Sequence, residues 1–289
     1  MKSIRGTVKR GFNMLGLEIR RSGPRVPRVP GKTKGQMTEV SFSQQACFHA
    51  SSLGKWYDPL LLGPSTIGEY ASSAECAGKV EQLLSALEPD DYVMYLLAYY
   101  HEGLRRFGQR WRYADIVTVL LAAAEIAKPE TYLEIGVRRG RSMAVVASAR
   151  PGCRIVGFDL WVQDYAGMPN PGPEFVRGEL NRIGYHGELD LISGDSHREV
   201  PDFLARNPEM QFDLITVDGD HSKRGAVRDI RDVLPRLRVG GVLVFDDIVH
   251  PAVPHLEEVW RSEVASSKRF ACWDFRELGY GVALAIRRS

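Results

Sequence analysis

Two short apolar stretches that run directly into carboxylates constrain the fold of this sequence most. One is Phe212–Val217, which precedes Asp218, and the other is Gly241–Phe245, which precedes Asp246 and Asp247. The helical stretch between them makes a β-α-β unit, so the two strands are predicted to be parallel. Neighbouring parallel strands end about 5 Å apart. The pattern therefore places the three aspartates at the edge where open α/β sheets bind ligands.

Three carboxylates this close repel one another unless a proton or a cation lies between them. A hard divalent cation, Mg²⁺ first, is the natural partner, with Asp218, Asp246 and Asp247 as its expected ligands. The other interpretation is a solvated loop that caps the following segment. His221 is the preferred general base, since its ordinary pKa lies near neutral pH. Asp220 is the second candidate for that role, although it could instead cap the next helix.

Length and composition favour a cytoplasmic protein with one large domain. The chain has 289 residues, enough for an α/β domain and a smaller appendage. Its four cysteines are widely scattered and form no CxxC pair, which fits a reducing compartment. The longest apolar run, near Val117 to Ala124, is too short to span a bilayer.

The N-terminus carries most of the positive charge. Residues 1–34 hold ten Lys and Arg against one Glu, a charge of +9, so the total of +2 leaves −7 for the rest. In residues 1–20 the apolar positions share one helical face, which predicts either a helix on an anionic membrane or partner surface or a solvated arm. Because the positive charge lies away from the acidic strand ends, we expect no nucleic-acid partner.

The chain divides into three predicted parts: a basic arm and Pro-rich linker over 1–36, a mainly helical segment over 37–112, and an α/β domain over 113–289. In the last part strands and helices alternate, which is typical of a doubly wound parallel sheet. Its final two strands are predicted to form an antiparallel hairpin. The helical segment either covers the active site or builds a subunit interface, and a homo-oligomer is expected. The predicted strands are Tyr132–Val137, Arg154–Asp159, Leu189–Ser193, Phe212–Val217, Gly241–Phe245, Phe270–Phe275 and Gly281–Ile286.

The first three strand ends of this domain carry features of a nucleoside site. Glu134 ends the first strand, and Gly136 and Gly140 permit a tight turn and a close ligand approach before a helix that begins near Ser142. Asp159 ends the second strand, where an acid can accept both hydroxyls of a ribose.

The third strand leads into Asp195 and Ser196, which could read an adenine amino group at the same edge. A nicotinamide-binding domain is the rival interpretation. It would require a further glycine at the pyrophosphate, where this chain has Arg138 and Arg139.

This ordered series resembles the class I S-adenosylmethionine-dependent methyltransferases over roughly Tyr113 to Arg287. It is most similar to the small-molecule O-methyltransferases of antibiotic and sugar tailoring, including macrolide-sugar and aminocoumarin types. Arg138 departs from the pattern, because many members have a third glycine there. The resemblance implies a seven-stranded Rossmann-like sheet whose last strand is antiparallel. It also implies that the Glu134–Gly140 loop holds the methionine moiety of S-adenosylmethionine, Asp159 the ribose, and Asp195 with Ser196 the adenine.

The predicted reaction is metal-assisted transfer of a methyl group to a hydroxyl of a sugar, diol or catechol in a natural product or glycan intermediate. Two alternatives stay open: a metal-independent methyltransferase on another small acceptor, and a non-catalytic binding module with this fold. A glycan or glycolipid acceptor would agree with peripheral membrane contact through residues 1–20.

Overall fold

The computed structural model describes residues 48–51, 54–57, 60–164 and 167–289. The predicted amphipathic arm and linker over 1–36 lie outside these residues. The first described element is an antiparallel pair, β1 (Phe48–Ser51) and β2 (Gly54–Tyr57). This pair falls where the sequence predicted mainly helix. Its aromatic residues favour extended backbone, which is the physical reason for the difference.

In the described part of the chain, four α-helices precede the main sheet. They are α1 (Pro64–Ala71), α2 (Ala74–Leu84), α3 (Asp91–Phe107) and α4 (Ile116–Ala127). Side chains set three of their starts: Ser73, Asp90 and Asp115 each accept a hydrogen bond from a backbone N–H in the first turn of the following helix. The N-terminal helical extension is therefore confirmed.

The main sheet has seven strands: β3 (Thr131–Ile135), β4 (Arg154–Asp159), β5 (Leu189–Ser193), β6 (Phe212–Val217), β7 (Leu237–Asp246), β8 (Phe270–Phe275) and β9 (Val282–Arg287). Their order in the sheet is β5-β4-β3-β6-β7-β9-β8. Strands β3 to β7 are parallel, whereas β9 is antiparallel to both β7 and β8. This confirms the predicted doubly wound sheet and its antiparallel last strand.

Helices cover both faces of this sheet. One apolar cluster joins α1 to α4 with α5 (Arg141–Ala149), α6 (Pro173–Arg182) and one face of the strands. The other cluster joins the opposite face to α7 (Ser196–Arg206), α8 (Lys223–Val233) and α9 (His255–Trp260). Helices on both sides of residue 112 thus share one core, and the proposed division at 112/113 stays a prediction. Among the described residues, no helix is both long and apolar enough to cross a membrane.

Candidate active site

The carboxyl ends of β3, β6 and β7 lie side by side. Ile135 pairs with Val217, and Val217 pairs in turn with Phe245. Gly136 follows β3 with φ of 95°, and a Cβ built there would lie 1.9 Å from the backbone oxygen of Asp218. Only glycine permits this approach of the two loops. The loop after β3 and the acids after β6 therefore form one continuous edge.

An imidazole lies between two of the predicted metal ligands. His221 Nε2 lies 3.1 Å from Asp218 Oδ1, and its Nδ1 lies 3.8 Å from Asp247 Oδ2. One ligand atom from each of these three side chains falls within 4.8 Å of the others. Asp246, at the end of β7, is not part of that group of described residues. The structure thus groups Asp218 and Asp247 with His221 more closely than with Asp246.

The electrostatics of this edge favour added positive charge. Burial, together with Asp247 and Asp218, raises the pKa of Asp246 well above its ordinary range. Burial and Asp218 raise the pKa of Asp247 to about 7, partly offset by His221. A hydrogen bond with Asp218 raises the pKa of His221. Carboxylates that repel one another in this way, with an imidazole beside them, are a donor set that fits a divalent cation.

Asp220, the second candidate base, is held by hydrogen bonding in the loop after β6. Its Oδ1 accepts from the N–H of Ser222 at 2.8 Å, and its Oδ2 lies 3.8 Å from His197 Nε2. Its carboxylate also packs so closely on Gly225 that a Cβ there would meet Oδ2 at 1.9 Å. Ser222 itself caps α8. The geometry gives Asp220 a place in the turn before α8.

Glu134 and Ser142 meet beneath the loop after β3. Glu134 is fully buried, and one of its oxygens accepts from the hydroxyl of Ser142. Its other oxygen has no hydrogen-bond partner among the described residues. Burial raises the pKa of Glu134 to about 8, and the hydrogen bond from Ser142 offsets part of this rise. Gly140, the cap residue immediately before α5, has a φ of 73° and packs against Val176. A buried acceptor with spare capacity fits the ammonium group of a bound amino acid.

The two other predicted nucleoside residues already accept backbone hydrogen bonds. Asp159 receives the N–H of Arg138 at 2.6 Å and that of Trp161 at 2.5 Å. Asp195 caps α7 by accepting from the N–H of His197 at 3.0 Å. Each oxygen of a carboxylate can accept a further bond, so these contacts fix the acids in place and leave them able to bind a ligand.

Ser196 lies next to Asp195 but its hydroxyl turns inward. It donates to Asp229 Oδ1 at 2.7 Å. The ends of β3, β4 and β5 thus bring Glu134, Asp159 and Asp195 to the same edge as the acid cluster, in the order that the sequence predicted.

The N-terminal end of α3 contacts the Glu134–Gly140 loop and the residue that follows it. The sequence analysis did not predict these contacts. Arg139 pairs with Asp90 at 2.9 Å, with about a tenth of each side chain exposed. The guanidinium of Arg141 lies 4.3 Å from the ring centroid of Tyr92. Burial raises the pKa of Tyr92, and Asp246 and Asp218 are near enough to raise it further. The local signal available in the sequence was Asp90 as a helix cap. That signal predicts where α3 begins, but it does not predict that Asp90 pairs with Arg139.

A family model described as a methyltransferase domain matches residues 133–248. That stretch begins in β3 and ends just after Asp247, so it spans all the strand ends described above. Over this stretch the chain is similar to the methyltransferase domain family. The match and the sheet order confirm the resemblance to class I methyltransferases, and the enzyme class with it.

Solved structures agree with this fold. The chain is similar to TomG, an O-methyltransferase from Streptomyces achromogenes, with 21% identity, a TM-score of 0.50, and coverage of 74% of this chain and 96% of TomG. It is also similar to a candidate O-methyltransferase from Klebsiella pneumoniae, with 19% identity, a TM-score of 0.51, and coverage of 74% and 98%. At these identities the likeness establishes the fold. No curated protein matches the sequence.

Proposed function

We propose that this methyltransferase uses S-adenosylmethionine and a divalent cation, Mg²⁺, to methylate a hydroxyl of a sugar, vicinal diol or catechol. One observation carries the proposal. The cluster of Asp218, His221 and Asp247 adjoins the Glu134–Gly140 loop through the close approach of Gly136 to Asp218. A nucleoside cofactor on one side and an ion on the other would then meet at this contact.

The cofactor side supplies binding and orientation. S-adenosylmethionine would bring a sulfonium methyl group that is open to in-line displacement, so the protein has mainly to align the accepting oxygen. Glu134 offers a buried carboxylate oxygen to the ammonium group of the methionine moiety. Asp159 is held by two backbone N–H groups at the end of β4, where it can accept the ribose hydroxyls. Asp195 caps the start of α7, where it would contact the adenine.

The cluster of Asp218, His221 and Asp247, together with Asp246, is the acid side of the site, and it would hold the ion and receive a proton. A cation held by Asp218 and Asp247 would lower the pKa of a ligated acceptor hydroxyl. Vicinal oxygens suit such an ion because both can bind it at once, which favours a diol or catechol. The imidazole of His221 is partly exposed and oriented by Asp218 at 3.1 Å, so it can take the proton of the hydroxyl.

A variant of His221 distinguishes this base role from a ligand role. His221→Asn should leave Mn²⁺ affinity within about threefold of wild type while turnover falls about 10²-fold or more. A loss of Mn²⁺ affinity of the same size as the loss of turnover would make His221 a ligand instead. Asp246→Asn, measured alongside, tells whether the third carboxylate contributes to ion binding.

The decisive experiment is calorimetric titration of S-adenosylmethionine with and without Mg²⁺, on wild type and Asp159→Ala. Saturable binding that the variant loses supports the cofactor site, and screening of sugars, diols and catechols then identifies the acceptor. Binding with full turnover in EDTA would favour a metal-independent methyltransferase. Absence of binding under every condition would favour a non-catalytic module. A cytoplasmic location, membrane contact through residues 1–20 and a homo-oligomeric state remain proposals alongside these.

A further inference from the structure

One buried carboxylate joins the two halves of the candidate site. Asp229 lies in α8 with 1% of its surface exposed. Its Oδ1 accepts from the hydroxyl of Ser196 at 2.7 Å, and its Oδ2 accepts from the N–H of Asp220 at 3.3 Å. Ser196 begins α7 at the nucleoside end, whereas Asp220 belongs to the loop after β6. A single side chain therefore contacts both segments directly.

The loop after β6 packs closely against the carboxylate of Asp229. A Cβ built on Gly219 would lie 2.9 Å from Asp229 Oδ2 and 2.6 Å from the Cγ2 of Ile135, so glycine is required for the fit. On the other side, His197 Nε2 lies 3.4 Å from Asp229 Oδ1. A carboxylate buried to this degree is tolerated only while several partners satisfy it. Movement of either segment would break a hydrogen bond that burial makes costly to lose.

We propose that Asp229 is a positioning residue that couples the nucleoside end of the site to the loop carrying Asp218 and His221. The proposal rests on the function proposed above. In-line methyl transfer requires the methyl group and the accepting oxygen to be aligned, and a misplacement of about 1 Å costs about 10²-fold in rate. Asp229 sets the distance between the segment that holds the cofactor and the segment that holds the acceptor. It touches neither ligand.

The coupling is testable with a ligand that occupies one end only. Adenosine lacks the methionine moiety, so it fills the nucleoside end without reaching the acid cluster. At saturating adenosine, hydrogen exchange should slow at residues 195–199 through direct contact. It should also slow roughly fivefold at residues 219–222, a factor typical of weak coupling between sites. In Asp229→Asn the first effect should persist and the second should disappear.

Turnover and a matched control complete the test. Asp229→Asn should lower kcat about 10²-fold. Asp232→Asn makes the same change in the same helix, at a carboxylate that pairs with Arg228 at 3.7 Å. It should keep both exchange effects and a kcat within about threefold of wild type. Should Asp229→Asn fail to fold, Ser196→Ala removes one of the two hydrogen bonds and should also abolish the effect at 219–222.

The outcomes separate the two proposals. No effect of adenosine at residues 195–199 in wild type would overturn the proposed function. An effect at 195–199 without one at 219–222 in wild type would overturn the coupling alone. So would an effect at 219–222 that survives in Asp229→Asn, or equal losses of kcat in Asp229→Asn and Asp232→Asn.

Discussion

The cofactor side and the acid side of this sheet edge hold their carboxylates in different ways. At the end of β4, Asp159 accepts two backbone N–H groups, and at the start of α7, Asp195 accepts one. Across the edge, Asp218 and Asp247 both lie beside the imidazole of His221, and burial followed by the neighbouring acids raises the pKa of both Asp246 and Asp247. The first set is oriented by the fold itself. The second set is electrostatically strained, and a cation would relieve it.

The largest expected effect lies on the acid side. Asp246→Asn combined with Asp247→Asn should lower turnover about 10³-fold or more, because stabilisation by a bound ion is worth several kcal/mol. The affinity for S-adenosylmethionine should change less than about twofold. Steady-state kinetics and calorimetry measure the two quantities. Since the change removes like charges, it should not lower the free energy of unfolding.

Asp274→Asn provides the control for this double variant. Asp274 lies on β8, at the edge of the sheet and separated from β7 by β9, and its carboxylate pairs with Arg276. The turnover of this control should match that of wild type. If the double variant kept its turnover, or if wild type were fully active in EDTA, the acid side would not be a site of ion binding, and the proposed difference between the two sides would be wrong.

The next effect concerns what keeps the cofactor side rigid. Asp90→Ala should reduce the free energy of unfolding by about 3 kcal/mol, because it leaves the buried Arg139 without its partner and removes the cap of α3. Denaturant unfolding measures the change. Asp91→Ala, at the exposed neighbouring position, should cost less than about 0.5 kcal/mol. Equal losses in the two variants would mean that the pair with Arg139 contributes little.

A smaller effect is expected where a carboxylate is held by the backbone. Asp159→Asn keeps one acceptor oxygen for the loop but loses the charge that strengthens bonds to ribose hydroxyls. The Kd for S-adenosylmethionine should rise about 30-fold, or about 2 kcal/mol, with kcat at saturation nearly unchanged. Asp190→Asn, on β5, is the control and should bind normally. A fall in kcat at unchanged Kd would place Asp159 with the chemistry instead.

Much of the fold could be predicted from local sequence. The bounds of β4, β5, β6 and β8 agree with the predictions residue for residue. Buried parallel strands read as nearly continuous apolar runs, which explains the accuracy for β4 and β6. Strand β7 begins at Leu237, four residues earlier than predicted, because Gly240 lies within the strand and not before it.

The site was predictable only to the level of the sheet edge. A β-α-β pattern brings Asp218 near Asp247, but the direction of each side chain depends on backbone angles that the sequence does not reveal. Asp247, for example, adopts a left-handed φ of 61°. The pair of Asp90 with Arg139 and the pair of Ser196 with Asp229 join separate elements. Such contacts follow from tertiary packing and have no local signal.

Glu134 lies on the cofactor side, but its carboxyl pKa is raised like those of Asp246 and Asp247 on the acid side. The smallest expected effect therefore concerns this residue. Its folded pKa of about 8 lies above the ordinary value of 4.5. Between these values the unfolded chain releases a proton that the folded chain keeps, so stability falls as pH rises through this window. From pH 6 to 7, the free energy of unfolding of wild type should fall about 1 kcal/mol more than that of Glu134→Gln.

Unfolding curves at the two pH values measure this difference, with Glu130→Gln as an exposed control that should follow wild type. Parallel curves for wild type and Glu134→Gln would mean that Glu134 is already ionised in the folded protein. Saturating S-adenosylmethionine should reduce the slope of wild type, because the ammonium group of its methionine moiety would favour the ionised carboxylate. Glu134 would then join Asp159 and Asp195 as a charged ligand once the cofactor is bound, and the acid side alone would still need a cation.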